Sequence, residues 1–228
     1  ELVGEHHTAN SGRREMAEFF SDWRYVAVET GDRMPAGIRG VVFANEFFDA
    51  LPVDVAVKRG SGYRQLRVGF RHGRFRWVES EPVDPPVAEY LERYAAAAPD
   101  GATVEVNLEA LRWIDAIAEH LEQGYALVID YGYTAPEIVR FPGGTLMSYR
   151  RHRALEDVLE NPGDRDITAH VCFTAIEDHA AARGFTKVRR ESLARLLLRA
   201  GEPDHFARTL REVNEAGRLR RAATIVPV

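Results

Sequence analysis

The stretch Asn45-Glu46-Phe47-Phe48-Asp49-Ala50-Leu51-Pro52 follows Gly40-Val41-Val42-Phe43-Ala44, an apolar run with the length and composition of a buried strand. It sets two carboxylates and an amide where that strand ends. Later, Tyr125-Ala126-Leu127-Val128-Ile129 runs directly into Asp130-Tyr131-Gly132-Tyr133. In an open α/β sheet, ligands bind in the crevice outside the carboxyl ends of the strands. An acidic cluster there is costly to bury unless it meets a partner. Two apolar strands ending in acid therefore outline a nucleotide-like cofactor site.

A chain of 228 residues has room for one large α/β domain, or for a domain with an insertion. No apolar run approaches the roughly 20 residues of a membrane-spanning helix, so no membrane span is expected. The single cysteine, Cys172, excludes an internal disulfide framework and a cysteine-based zinc site. It suits a reducing compartment, and a cytoplasmic location is expected. A net charge of -5 and a pI near 5.9 argue against a polyanion as main partner. The chain opens at Glu1-Leu2-Val3-Gly4-Glu5 without Met or a signal pattern and reads as the interior of a longer protein. His6-His7 is the one local pattern that invites a metal. Adjacent side chains in an extended segment point to opposite sides, so no metal is expected.

Residues 2–4 read as a short strand ending in Glu5, and Asn10 or Ser11 can cap a helix that follows. Residues 25–28 read as a strand ending in Glu29. With the strand before Asn45, this rhythm predicts a mostly parallel, doubly wound sheet. Residues 53–59, 63–70 and 74–79 alternate with period two and are split by Gly60-Ser61-Gly62 and Arg71-His72-Gly73, which are hairpin signals. Leu66, Val68 and Phe70 share one face, as do Phe75 and Trp77. The expectation is an antiparallel β-hairpin insertion over residues 53–80, packed by that side, within one domain over residues 1–228.

Pro86 opens a helix carrying Val87, Tyr90, Leu91 and Tyr94. Leu111, Ile114, Ile117 and Leu121 recur at helical spacing, with Gly124 as the stop. Residues 134–162 read as a long loop of the kind that is either functional or disordered. Thr174-Ala175-Ile176-Glu177 is a capping box for a helix ending at Gly184. A strand is expected at 185–189, helices at 192–200 and 203–216, and a last strand at 222–228.

Three blocks together resemble the MidA-type family of S-adenosylmethionine-dependent methyltransferases, whose mitochondrial members assist complex I assembly. They are Asn45 to Val53; Ile129-Asp130-Tyr131-Gly132-Tyr133; and Gly144-Thr145-Leu146, Tyr149, His152, Asn161-Pro162-Gly163 and Asp166-Ile167-Thr168-Ala169-His170-Val171-Cys172-Phe173. The resemblance spans about residues 1–200. It implies a Rossmann-like class I methyltransferase core and S-adenosylmethionine as cofactor. It also implies transfer to a protein side chain, an arginine above all. A protein substrate follows, with a respiratory-complex subunit among the candidates and a homodimer allowed; the eukaryotic relatives are mitochondrial. Two departures stand out. The family's glycine-rich loop is expected upstream of Glu1, and Cys172 stands where the family usually has Asp.

The resemblance assigns Glu5 to the ribose hydroxyls and places Glu29 and Asn45 with it on the cofactor side. Glu46 and Asp49 fall on the acceptor side, where paired carboxylates can hold a guanidinium in a fork. A plainer reading has Asn45 capping a helix, with Glu46 and Asp49 favouring its dipole. Asp130 and Tyr131 are expected to line the substrate crevice. His170 is the candidate proton acceptor, with an unperturbed pKa of about 6.5. It could equally be a histidine satisfied in the core.

The stripe Lys58, Arg59, Arg64, Arg67, Arg71, Arg74 and Arg76, interleaved with Tyr63, Phe70, Phe75 and Trp77, has the residue types of a nucleic-acid reader. Its strict alternation fits a solvated basic sheet face better, so nucleic acid is not the expected partner. The rival to an enzyme is a non-catalytic assembly factor that keeps the fold.

Overall fold

The computed structural model describes residues 24, 26–150, 153–155 and 157–201. Glu5, the His6-His7 pair and the elements expected at 2–4, after Asn10, at 203–216 and at 222–228 lie outside the described residues. In chain order the elements are β1 (Ile38–Asn45), β2 (Asp54–Arg59), β3 (Gly62–Arg71), β4 (Arg74–Ser80), α1 (Pro85–Tyr94), β5 (Thr103–Val106), α2 (Leu108–His120) and β6 (Leu121–Ile129). Then come β7 (Gly132–Tyr133), a 3-10 turn (Ala135–Arg140), β8 (Met147–Arg150), β9 (Arg153–Leu155), a second 3-10 turn (Pro162–Asp164), β10 (Asp166–Thr168), β11 (Val171–Cys172), α3 (Phe173–Ala182) and α4 (Leu193–Gly201). No described helix is long and apolar enough to cross a membrane.

β1 and β6 pair in parallel, with Gly40 opposite Gly124 and Asn45 opposite Ile129. That register brings both acidic strand ends to one level. Gly124 lies inside β6 rather than ending a helix; α2 stops at His120. Its φ of +139° and its closeness to the Gly40 carbonyl, which a Cβ would overlap, leave only glycine there. Val42, Ala44 and Val128 pack on a cluster of Phe48, Leu51, Ala110, Ile114, Ile117, Val171 and Ile176. The opposite face, with Val41, Phe43, Tyr125 and Leu127, is exposed. The strands read as buried on both sides are thus covered on one, among the described residues. A short parallel pair, β7 with β11, continues the theme. The mostly parallel sheet of the sequence reading is therefore only partly present among the described residues.

The larger sheet is antiparallel, in the order β4-β3-β2-β5. β5, unforeseen from sequence, adds Val104 opposite Ala56. α1 closes one face, burying Val87, Tyr90, Leu91 and Tyr94 against Ala56, Val104 and Val106. The chain around Pro142 meets the same sheet, where the Thr103 amide donates to the Pro142 carbonyl at 3.1 Å. α2 then returns the chain to the parallel pair. Asn107 starts that helix by accepting from the Ala110 amide at 2.8 Å, and its Nδ2 donates to the Phe48 carbonyl at 2.8 Å. One side chain thus caps the helix and anchors the loop after β1.

The hairpin departs from expectation in how it packs. β3 and β4 pair through a two-residue turn, His72-Gly73, with both residues left-handed. From Arg67 to Glu79 every residue except Gly69 is exposed. Val68, Phe70, Phe75 and Trp77, expected to pack, stay outside. The buried residue of β3 is Gln65, which donates to Asp54 and Asp84 and accepts from the Asp84 amide at 3.0 Å. Alternation fixes which residues share a face, and the hairpin simply reaches past the cover that α1 supplies. Much of the basic stripe is committed to carboxylates: Arg59 to Glu79, Arg64 to Glu81, and Arg67 to Asp84 at 2.8 Å. Arg67 and Arg74 both face solvent, as expected.

Two expected strands do not form among the described residues. Residues 26–28 and 185–189 have no ladder partner among the described residues, and Val188 is exposed. Phe185 packs on the inner cluster instead. The expected long loop is partly ordered into β8, β9 and the 3-10 turn at Ala135, which carries a capping box of Thr134 and Glu137.

Candidate functional site

The backbone leaves β1 sharply. The Glu46 amide donates to the Ile129 carbonyl at 2.8 Å, the last bond between the two parallel strands. Glu46 then adopts φ +46°, a left-handed conformation uncommon for a residue with a side chain. No helix starts here, so the helix-capping alternative for Asn45, Glu46 and Asp49 falls away. Asn45 and Glu46 are exposed, while Phe48 and Asp49 are buried.

The end of β6 locks onto this turn. Asp130 accepts from the Phe48 amide at 2.9 Å with one oxygen and from the Tyr131 amide at 2.9 Å with the other. Burial, joined by the nearby Asp49 charge, pushes its pKa up to about 6. Burial and then the Glu46 charge raise the pKa of Asp49. Asp49 is 6% exposed, yet its Oδ1 is buried without a hydrogen-bond partner. Tyr131 is exposed, and the Glu46 carboxylate is the chief influence raising its pKa.

A third segment closes the site. The amides of Ala169, His170 and Val171 donate in turn to the Asp49 carbonyl at 2.9 Å, the Thr145 hydroxyl at 3.0 Å and the Tyr131 carbonyl at 2.8 Å. His170 is half-buried, its ring edge-on to Phe141 at 5.4 Å between centroids. Burial lowers its pKa against the opposing pull of Asp49, and its Nδ1 is buried and unpartnered. The fold therefore gathers Asn45, Glu46, Asp49, Asp130, Tyr131 and His170, although they come from three separate stretches of chain.

Glu29 is not in this group by the route expected. It lies in an exposed turn, where its amide donates to Asp32 at 3.0 Å, and no strand precedes it among the described residues. Cys172, standing where the family usually has Asp, belongs to the core cluster beneath α1. It is 3% exposed in a cluster with Tyr90 and Tyr133, and burial raises its pKa. Sequence reasoning passed over Glu105, whose carboxylate is 3% exposed. Its signal was an acid alternating with valines in Thr103-Val104-Glu105-Val106.

The residues present fit a positively charged occupant. Glu46, Asp49 and Asp130 take part in no ion pair among the described residues. Asp49 and His170 keep orphan buried atoms, which native proteins rarely leave unexplained. A sulfonium or a guanidinium would supply the missing charge. No group of three or more described His, Cys, Asp or Glu residues could hold a metal ion.

Known proteins agree with this architecture. A family described as "putative S-adenosyl-L-methionine-dependent methyltransferase" matches residues 10–190. The mitochondrial protein arginine methyltransferase NDUFAF7 homolog of Drosophila melanogaster is 30% identical over 159 residues, 66% of this chain and 34% of that protein. The Xenopus tropicalis NDUFAF7 is 33% identical over 135 residues, 57% of this chain and 29% of that one. The chain thus spans about a third of the length of the curated relatives it matches. A Burkholderia thailandensis crystal structure bound to S-adenosyl-homocysteine matches with a TM-score of 0.65 and 28% identity, covering 79% of this chain and 46% of that one. A second structure from that organism and superfamily reaches a TM-score of 0.73 at 30% identity, over 87% of this chain and 54% of that one. The α/β, Rossmann-like methyltransferase fold follows. Spread over most of its length, and including both acidic strand ends, the match means that this chain belongs to the family of S-adenosyl-L-methionine-dependent methyltransferases.

Proposed function

We propose that the crevice at the ends of β1 and β6 serves methyl transfer from S-adenosylmethionine to a guanidinium nitrogen of a protein arginine. The observation that carries the acceptor class is the buried, unpartnered Oδ1 of Asp49 beside Asp130, neither carboxylate being in an ion pair with a lysine or arginine among the described residues. A guanidinium offers five N–H donors in a planar fork and matches carboxylate oxygens pairwise. The relatives named as arginine methyltransferases support the same acceptor.

The cofactor, when bound, supplies a methyl group already activated by its sulfonium. What remains for the protein is alignment, charge placement and exclusion of water. Asp49 and Glu46 hold the acceptor, and Asp130 keeps the loop after β1 in place through the Phe48 amide. His170, with its pKa lowered by burial, is neutral near pH 7 and can take the proton that the nitrogen loses. Asn45, at the end of β1, lies on the cofactor side, with Glu5 as the proposed ribose contact.

Asp49→Asn keeps shape and removes charge. With labelled S-adenosylmethionine and a cell extract as acceptor source, transfer is expected to fall about 100-fold or more, while cofactor affinity by calorimetry changes less than about two-fold. Glu46→Gln is expected to act the same way. Undiminished transfer by both variants refutes the acceptor role. Cofactor binding by the unmodified protein without transfer to any extract supports the assembly-factor reading instead.

A further inference from the structure

We propose that Glu105 is a positioning residue for this site: through the Thr145 hydroxyl it fixes where the His170 imidazole sits. The Glu105 carboxylate rises from β5, outside the strand-end cluster, and accepts three hydrogen bonds from one loop. They come from the Thr145 amide at 2.9 Å, the Thr145 hydroxyl at 2.9 Å and the Leu146 amide at 3.1 Å. The loop is pressed onto it. Gly144 has φ +83°, and a Cβ there would collide with Glu105 Oε1.

The hydroxyl of Thr145 works in two directions. It donates to Glu105 Oε2, which orients its lone pairs, and it accepts from the His170 amide at 3.0 Å. A hydroxyl has one proton and two acceptor lone pairs, so both roles are met at once. The relay ends on the histidine whose Nδ1 is buried and unpartnered, and the amide just before it, that of Ala169, donates to the Asp49 carbonyl. Among the described residues no hydrogen bond holds the ring itself. Its orientation rests on the backbone bonds of 169–171 and on the Phe141 contact. Of the three groups that accept from those amides, the Thr145 hydroxyl is the one supplied by a side chain, and Glu105 is what aims it.

The catalytic arm of this inference rests on the methyl-transfer reading; the orientation arm does not. The test compares Glu105→Gln, Thr145→Val and Thr145→Ser with the unmodified protein, His170 being assigned in NMR spectra by loss of its ring signal in His170→Asn. In Thr145→Val the His170 ring signals are expected to shift, while those of His120 and His179 stay in place. Thr145→Ser is expected to restore them, because it keeps the hydroxyl. In turnover, Thr145→Val and Glu105→Gln are expected to lower kcat about 10- to 100-fold with KM nearly unchanged, the size of effect that a misplaced reacting group produces. Thr145→Ser should recover kcat to within about three-fold.

An unmoved His170 signal in folded Thr145→Val overturns the proposal, whatever the activity. A moved signal with no transfer by any form, the unmodified protein included, refutes the methyl-transfer reading and leaves the positioning role standing. Should Glu105→Gln fail to fold, Thr145→Val alone decides, since it is nearly isosteric and removes only the relay.

Discussion

Glu105 and Asp49 are both buried carboxylates, both with pKa values raised by burial, and they differ in what their oxygens meet. Glu105 is met by three donors of one loop. Asp49 keeps an oxygen that touches no donor. The first pattern is that of an acid used to build; its removal would orphan the groups that depend on it. The second is that of an acid held for something else, since leaving a buried acceptor unpaired costs about 1–3 kcal/mol with no structural return. Degree of burial alone would not separate the two roles; hydrogen-bond satisfaction does.

The widest gap should open on truncation. Glu105→Ala strands two amides and a hydroxyl and is expected to lower stability by about 3–5 kcal/mol in urea unfolding. Asp49→Asn strands nothing and should stay within about 1 kcal/mol of the unmodified protein. Equal losses would erase the contrast.

A smaller effect concerns pH. Asp130 has a pKa raised to about 6 in the folded chain, against an ordinary value near 3.8. Between those values the folded state holds a proton that the unfolded chain has released. Stability therefore falls as pH rises from about 4 to about 6. Asp49 and Glu105, also raised, push the same way. Asp130→Asn should flatten that slope by an amount on the order of 1–2 kcal/mol across the window, measured as the shift in urea midpoint with pH. A slope that Asn leaves unchanged would mean that Asp130 is ordinary in solution.

The smallest effect is predicted for the hairpin. Trp77→Thr should change stability by no more than about 0.5 kcal/mol, whereas a packed aromatic lost from a core costs about 3–5 kcal/mol. A loss above about 2 kcal/mol would show that the outer sheet face is covered in solution.

Strand ends and their acids could be read from sequence because an apolar run followed by Asn45-Glu46 or Asp130 is a local signal. So could the α1 and α2 helices, from their spacing. Glu105 left only the local mark of an acid between valines, and its partners, 40 and 41 residues away, carry no sign of it. The hairpin was read correctly as strands and wrongly as packed. Period two says which side chains share a face and is silent on whether anything covers them. The strand expected before Glu29 failed for a related reason: an apolar run becomes a strand only against a partner edge, and none of the described strands offers it one.

The bonds of residues 169–171 have a temporal consequence. Three successive amides hold three segments, so residues 169–171 cannot swing out without releasing all three segments at once. Opening of this corner is therefore a single collective event, slower than the picosecond-to-nanosecond rattling of an ordinary loop. When residues 169–171 move, the loop after β1, the loop after β6 and the Thr145 turn lose their hold in the same event.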